Sequence, residues 1–190
     1  MKSLEQNVNN ISEIYISVDI EASGPIPCKY SMLSLGACVV GDTSNNFYSE
    51  IKPINDSFVV EAIKISGFNL DHLKSVGLKP EAALKSFAEW IECNSNNKNP
   101  IFVGFNAPFD WQFINWYFHT YTGSNPFGIN AIDIKAYFMG TAGIEWGKTS
   151  SSNLPEWLKV ENKEKHNALN DAITQSIIFE RLLKWNRDKH

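Results

Sequence analysis

The chain of 190 residues holds three cysteines, Cys28, Cys38 and Cys93, and no C-x-x-C pair. An odd count leaves at least one thiol unpaired, which argues against a disulfide scaffold and for a reducing compartment, with the thiols expected as small buried hydrophobes. Long apolar runs are missing too. Met1 to Asn10 holds no apolar segment of signal-peptide length, and no later stretch approaches a membrane span; the cytoplasm is therefore the expected location. Positive charge is not in excess, since 17 Lys and Arg against 21 Asp and Glu leave a net charge of −4. That disfavours nucleic-acid binding through a broad basic surface and leaves short or locally gripped nucleic acids open. No internal repeat occurs. Nor is there a complete phosphate-binding loop: Gly147-Lys148-Thr149 resembles its end, but Ala142 stands where the first glycine is required. No strong strand precedes it, so nucleotide triphosphatase activity is excluded.

What is present is a composition with 43% hydrophobic and 20% charged residues, which predicts one compact domain over 1–190, with 1–12 as a flexible N-terminal segment. Ile14, Ile16, Val18 and Ile20 alternate through Glu13–Ser23 at the strand period. Met32–Val40 reads as a second strand and Phe47–Ile51 as a third, with the turn-rich Gly41–Asn46 between them. Lys79-Pro80-Glu81 then places proline in a first helical turn, and Leu84, Phe87, Ala88 and Ile91 recur at helical spacing up to the polar run Asn94–Asn99. Ile101–Phe105 reads as a buried strand followed by a helix carrying Phe109, Phe113, Trp116 and Tyr117. Ala131–Ile134 suits a short strand, Tyr137–Gly140 a helix and Gly143–Asn153 a polar loop. A final helix is predicted over His166–Trp185, with Ala168, Ile173, Ile177, Leu182 and Trp185 near one stripe. This order indicates a mixed α/β sheet covered by helices.

Three places carry chemistry. Asp19 and Glu21 are two apart on the first strand, so both carboxylates share one face. Alone, the pair fits a solvent-facing strand side, because two buried like charges need a cation. Asp110 follows Asn106-Ala107-Pro108-Phe109 just inside a helix, where an acid ordinarily complements the dipole. His166 precedes Asp171 by five positions at the last helix. On a regular helix that spacing turns the side chains apart, so the two would have to flank a common cavity from loop and helix. Asp133, beside a strand, suits a cap or buried hydrogen bond rather than a metal. Phe109, Trp111 and Phe113, at helical spacing, suit the core better than base stacking.

These motifs occur together and in order, and with them the chain resembles the DEDDh 3′-to-5′ exonucleases of the ribonuclease H-like superfamily, which include bacterial proofreading exonucleases, ribonuclease T and oligoribonuclease. The matching segments are Val18-Asp19-Ile20-Glu21-Ala22-Ser23-Gly24, Asn106-Ala107-Pro108-Phe109-Asp110 and His166-Asn167-Ala168-Leu169-Asn170-Asp171-Ala172. The resemblance runs from Ile14 to Leu183 and takes in Ile65-Ser66-Gly67, where family members commonly carry a similar turn before a helix. Two departures are Phe105, where several members have His, and the proline-containing Gly24-Pro25-Ile26-Pro27; both bear on substrate contacts.

The resemblance implies a ribonuclease H-like mixed five-stranded sheet, three antiparallel strands first, flanked by helices. It also implies a metal-dependent exonuclease releasing nucleoside 5′-monophosphates from the 3′ end of RNA or single-stranded DNA. Two divalent cations about 3.5–4 Å apart serve phosphodiester hydrolysis. Four Asp/Glu side chains suit Mg²⁺, with Mn²⁺ as substitute, whereas Zn²⁺ favours His and Cys, which are scarce here. By resemblance Asp19 would bridge both ions, Glu21 and Asp171 would complete the nucleophile-side ion, and Asp110 would hold the second, through water. His166 would be the general base, since an imidazole can take up and release a proton near neutral pH. The expected substrate contacts are Asn106 and the backbone at Ala22, Ser23 and Gly24. The expected partner is a single-stranded nucleic-acid 3′ end, with self-association as a homodimer left open and no membrane contact. The rival reading is a noncatalytic nucleic-acid-binding or polymerase-associated module of the same fold.

Overall fold

The structure, a computed structural model, describes residues 12–161 and 166–189. The expectation of a flexible segment over 1–12 falls outside these residues except at Ser12, whose carbonyl accepts from the Asn99 N–H at 2.9 Å. A five-stranded sheet in the order β3-β2-β1-β4-β5 forms the centre. It comprises β1 (Glu13–Ala22), β2 (Met32–Val39), β3 (Asp42–Glu50), β4 (Asn99–Gly104) and β5 (Ala131–Asp133). The first three pair antiparallel, and β4 and β5 add parallel to β1. The expected mixed sheet with three antiparallel strands first is thus the observed one.

Alternation along β1 divides two cores. Ile16, Val18 and Ile20 join the face packed with Leu84 and Phe87 of α3 (Pro80–Ser95) and Phe113 and Tyr117 of α4 (Pro108–Tyr121). The opposite face carries Tyr15, which packs with Phe138 of α5 (Ile134–Ala142) and Phe179 and Leu182 of α6 (Ala168–Asp188). Asp19 and Glu21 belong to that second face by strand alternation. In α6 the buried residues are Ala168, Ala172, Gln175, Ser176, Ile178, Phe179 and Leu182, and Ile173 and Ile177 are only half-buried. A polar Gln175 therefore occupies a place that hydrophobicity alone would give to isoleucine.

Other differences have local causes. β3 begins at Asp42, because the reversal is confined to Val40-Gly41, where Gly41 has φ 88°. The polar residues after it suit a sheet edge with alternating exposure. The short helix α1 (Val60–Ser66) was not legible in the sequence; it ends at Gly67, in the left-handed region at φ 71°, and the helix that the resemblance implied after this turn is α2 (Leu70–Val76), capped by Asn69 through the His72 N–H at 3.0 Å. Two short 3₁₀ turns, Trp146–Lys148 and Ser151–Asn153, interrupt the expected polar loop. The last helix starts at Ala168, after His166, and runs on to Asp188. Cys38 is buried as expected, whereas Cys28 and Cys93 are exposed. Among the described residues, no helix is long and apolar enough to cross a membrane.

Candidate active site

The site opens where β1 and β4 part. Their ladder pairs Ile16 with Phe102 and Ser17 with Val103, β4 stops at Gly104, and β1 runs on to Ala22. Past Ser17, the backbone groups of β1 on this side need other partners. Asp110 supplies one: its Oδ1 accepts from the Ile20 N–H at 3.0 Å. The turn from β4 into α4 places it there. Asn106 takes a left-handed φ of 68°, and Pro108 starts the helix with its fixed φ and missing donor. Asp133 anchors that turn, Oδ2 accepting from the Ala107 N–H at 2.6 Å while Oδ1 caps α5 through the Ala136 N–H at 2.7 Å. This is the expected capping and hydrogen-bonding role. Lys135 Nζ lies 3.5 Å from Asn106 Oδ1 and 4.3 Å from the centre of the Trp146 ring.

On α6, Asn167 caps the helix by accepting from the Asn170 N–H at 3.2 Å. His166 stands just before it at φ 64° and donates its backbone N–H to Asp171 Oδ2 at 2.9 Å. The five-residue spacing therefore brings His166 and Asp171 together, because the first is off the helix. Ligand atoms of Glu21, His166 and Asp171 all lie within 4.8 Å of one another. Asp19, Phe105, His166, Asp171 and Gln175 line a cavity of about 780 Å³, together with Leu154 and Val160.

Burial raises the carboxyl pKa values here. Asp19 is held well above the usual carboxylate range by desolvation and then by Asp110, Asp171 and Glu21. Desolvation and Asp171 push Glu21 up to about 7. Desolvation takes Asp110 up to about 8, with Glu21 and Asp171 adding to it, against the lowering effect of its hydrogen bonds from the Ile20 and Asp110 N–H groups. Crowded oxygen donors at this energetic cost suit a hard divalent cation, which would relieve both repulsion and desolvation.

The expected substrate contacts fare unequally. Ser23 is fully buried; its N–H donates to the Ser31 carbonyl at 2.8 Å, and its hydroxyl donates to the Ser57 carbonyl and accepts from the Ser31 N–H. Its polar groups are thus engaged inside the protein. Gly24 packs under Tyr30, whose ring an added Cβ would meet at 2.4 Å. Ala22 is buried and Asn106 is exposed. Phe113 is fully buried, Phe109 packs on it, and Trp111 sits edge-on to Phe102, so these aromatics belong to the core as expected. Sequence reasoning missed Gln175, which no motif spacing marks. Its only signal is an amide one helical turn after Asp171.

A family model described as an exonuclease, the RNase T family, matches residues 16–179. The chain belongs to this exonuclease family. The 3′-5′ DNA exonuclease Cap18 of Escherichia coli is 46% identical over 178 residues, spanning 93% of this chain and 95% of that protein. Solved structures agree in fold. The nuclease domain of 3′hExo, a DEDDh family member bound to rAMP, gives a TM-score of 0.73 at 15% identity, covering 93% of this chain and 94% of that one. E. coli exonuclease I in complex with a dT13 oligonucleotide gives 0.68 at 18% identity, covering 94% of this chain and 42% of that one. The protein is a 3′-5′ exonuclease, and this family depends on divalent metal.

Proposed function

We propose that this exonuclease removes nucleotides stepwise from the 3′ end of single-stranded DNA or RNA, releasing nucleoside 5′-monophosphates, with Asp19, Glu21, Asp110, His166 and Asp171 as its hydrolytic site. The carrying observation is the convergence of Glu21, His166 and Asp171 within 4.8 Å, beside Asp19 and Asp110, from three separate elements. DNA is the better-supported polymer, because the relative at 46% identity is named for it. The presence of all five groups argues against a module that only binds.

Asp19, Glu21, Asp110 and Asp171 would hold two Mg²⁺ ions, with Mn²⁺ as a substitute. When bound, such ions polarise the scissile phosphate, make a water nucleophilic and stabilise the leaving oxygen. The protein's own groups do the rest. His166, exposed at the cavity and fixed by its backbone bond to Asp171, accepts the proton of the attacking water. Asp110, tied to Ile20, keeps its carboxylate beside β1 without a mobile side chain to order. Asn106, next to Lys135, meets the sugar-phosphate backbone, and the chain around Ala22 and Gly24 shapes the space for the terminal nucleotide.

The test is a matched pair of DNA and RNA oligonucleotides of one sequence, each labelled at the 5′ end, with released products resolved by chromatography. Progressive shortening with nucleoside 5′-monophosphates as products is expected, faster on DNA. Internal cleavage, or shortening from the 5′ end, would overturn the reading.

A further inference from the structure

We infer that Gln175 is a positioning residue of this site, an amide side chain that stands in for the missing ladder rung between β1 and β4 and sets the Asp19 carboxylate. The inference rests on the hydrolytic reading above. Backbone pairing between the two strands ends at Ser17 and Val103. Beyond it, Gln175 Oε1 accepts from the N–H of Phe105, one residue past the end of β4, while Nε2 donates to the Val18 carbonyl of β1 at 3.1 Å. One donor and one acceptor are what a peptide group contributes to a sheet rung, and the Gln side chain presents the same pair. The side chain thus bridges the separation of the two strands beyond their last backbone pair.

That separation matters because it is where the carboxylates meet. Asp110 binds the next free donor of β1, the Ile20 N–H, and Phe105 leads directly into the turn that carries Asp110. The Gln175 amide also lies 3.5 Å from Asp19 Oδ1. Gln175 thus links β1, which bears Asp19 and Glu21, to the turn before Asp110 and to α6, which bears Asp171. The side chain is 3% exposed, so none of these bonds is exchangeable with water at no cost.

Two variants separate positioning from simple stability. Gln175→Leu keeps the volume and removes both hydrogen-bonding groups. Gln175→Glu keeps the acceptor for Phe105 and removes the donor to Val18 and Asp19. The purified proteins are compared by metal-free thermal melting, by Mn²⁺ titration in a calorimeter, and by kcat and KM on a single-stranded oligonucleotide at 20 °C. A supporting group behind a metal ligand is ordinarily worth about 10–100-fold in affinity or activity. The expected result is Mn²⁺ binding weakened and kcat lowered within that range for both variants, with KM changed less than kcat. Variants that melt earlier yet bind Mn²⁺ and turn over like the parent would overturn the inference, leaving Gln175 a stabilising residue only. Should Gln175→Leu fail to fold, Gln175→Glu decides alone by the same readouts. Failure of the parent itself to bind Mn²⁺ or cleave would instead overturn the hydrolytic reading.

Discussion

Gly36 lies against the first peptide of the last helix: a Cβ added there would come within 2.2 Å of the Ala168 carbonyl carbon and 2.3 Å of the Leu169 nitrogen. Gly36 is also the register partner of Asp19. The sheet position opposite the first acid is thus the one where a missing side chain lets α6 settle on β2, bringing His166 and Asp171 over β1. The obstruction would be backbone, which cannot swing aside. Gly36→Ala should lose about 3 kcal/mol of stability or more and most of its activity, both read from melting and a cleavage assay on the same preparation. A variant with parental melting and rate would contradict this contact.

The raised carboxyl pKa values predict how stability follows pH. Glu21 rises from 4.5 to about 7 and Asp110 from 3.8 to about 8, and Asp19 moves the same way. For an acid so shifted, the folded state binds more protons than the unfolded state between the two values. Stability is therefore greatest below about pH 4 as far as these groups contribute, and falls as pH rises through the window to about pH 8. In EDTA, melting should fall by at least about 5 °C between pH 5 and pH 8, and Mg²⁺ should restore most of the loss. A metal-free melting curve that stays level or rises over this range would refute the crowding of these acids.

Removing one acid should expose the same opposition between stability and function. In Asp110→Asn the Ile20 N–H still finds an oxygen acceptor, while above about pH 8, where the native carboxyl is ionised, a buried charge disappears. The variant should melt higher than the parent in EDTA above that pH and cleave slower by about 100-fold or more. Lower metal-free stability would show that Asp110 contributes more by its hydrogen bond than it costs by its burial.

Much of this was legible beforehand because it depends on local period and motif. The alternation of Ile14 to Ile20 fixed the face of Asp19 and Glu21, and Asn106-Ala107-Pro108 marked the start of α4. Long-range pairing was not legible. Ser23 sits inside the expected motif, but its amide and hydroxyl are taken by Ser31 and Ser57, whose approach only the folded loop reveals. Gln175 acts through the gap between two strands, a feature of the sheet rather than of the helix that carries it. The helices α1 and α2, seven residues each, are too short to impose a period.

Lys135 predicts a salt effect. Its ammonium sits beside Asn106 and the Trp146 ring and makes no carboxylate ion pair among the described residues. A lysine meeting one phosphate of a single strand contributes about 0.7 to the slope of log affinity against log salt. Lys135→Ala should flatten the salt dependence of kcat/KM by about that amount, leaving melting nearly unchanged. An unaltered slope would place the strand elsewhere.

The central claim, that the five groups act as one metal-requiring hydrolytic site, is tested most directly by a time course on a 5′-labelled single-stranded DNA. The parent and Asp19→Asn proteins are compared with Mg²⁺, with EDTA, and with Mg²⁺ restored after EDTA. The account predicts stepwise shortening from the 3′ end by the parent, its loss in EDTA and return with Mg²⁺, and no shortening by Asp19→Asn although that protein is folded. Parental activity in EDTA, or cleavage by folded Asp19→Asn at the parental rate, would contradict it.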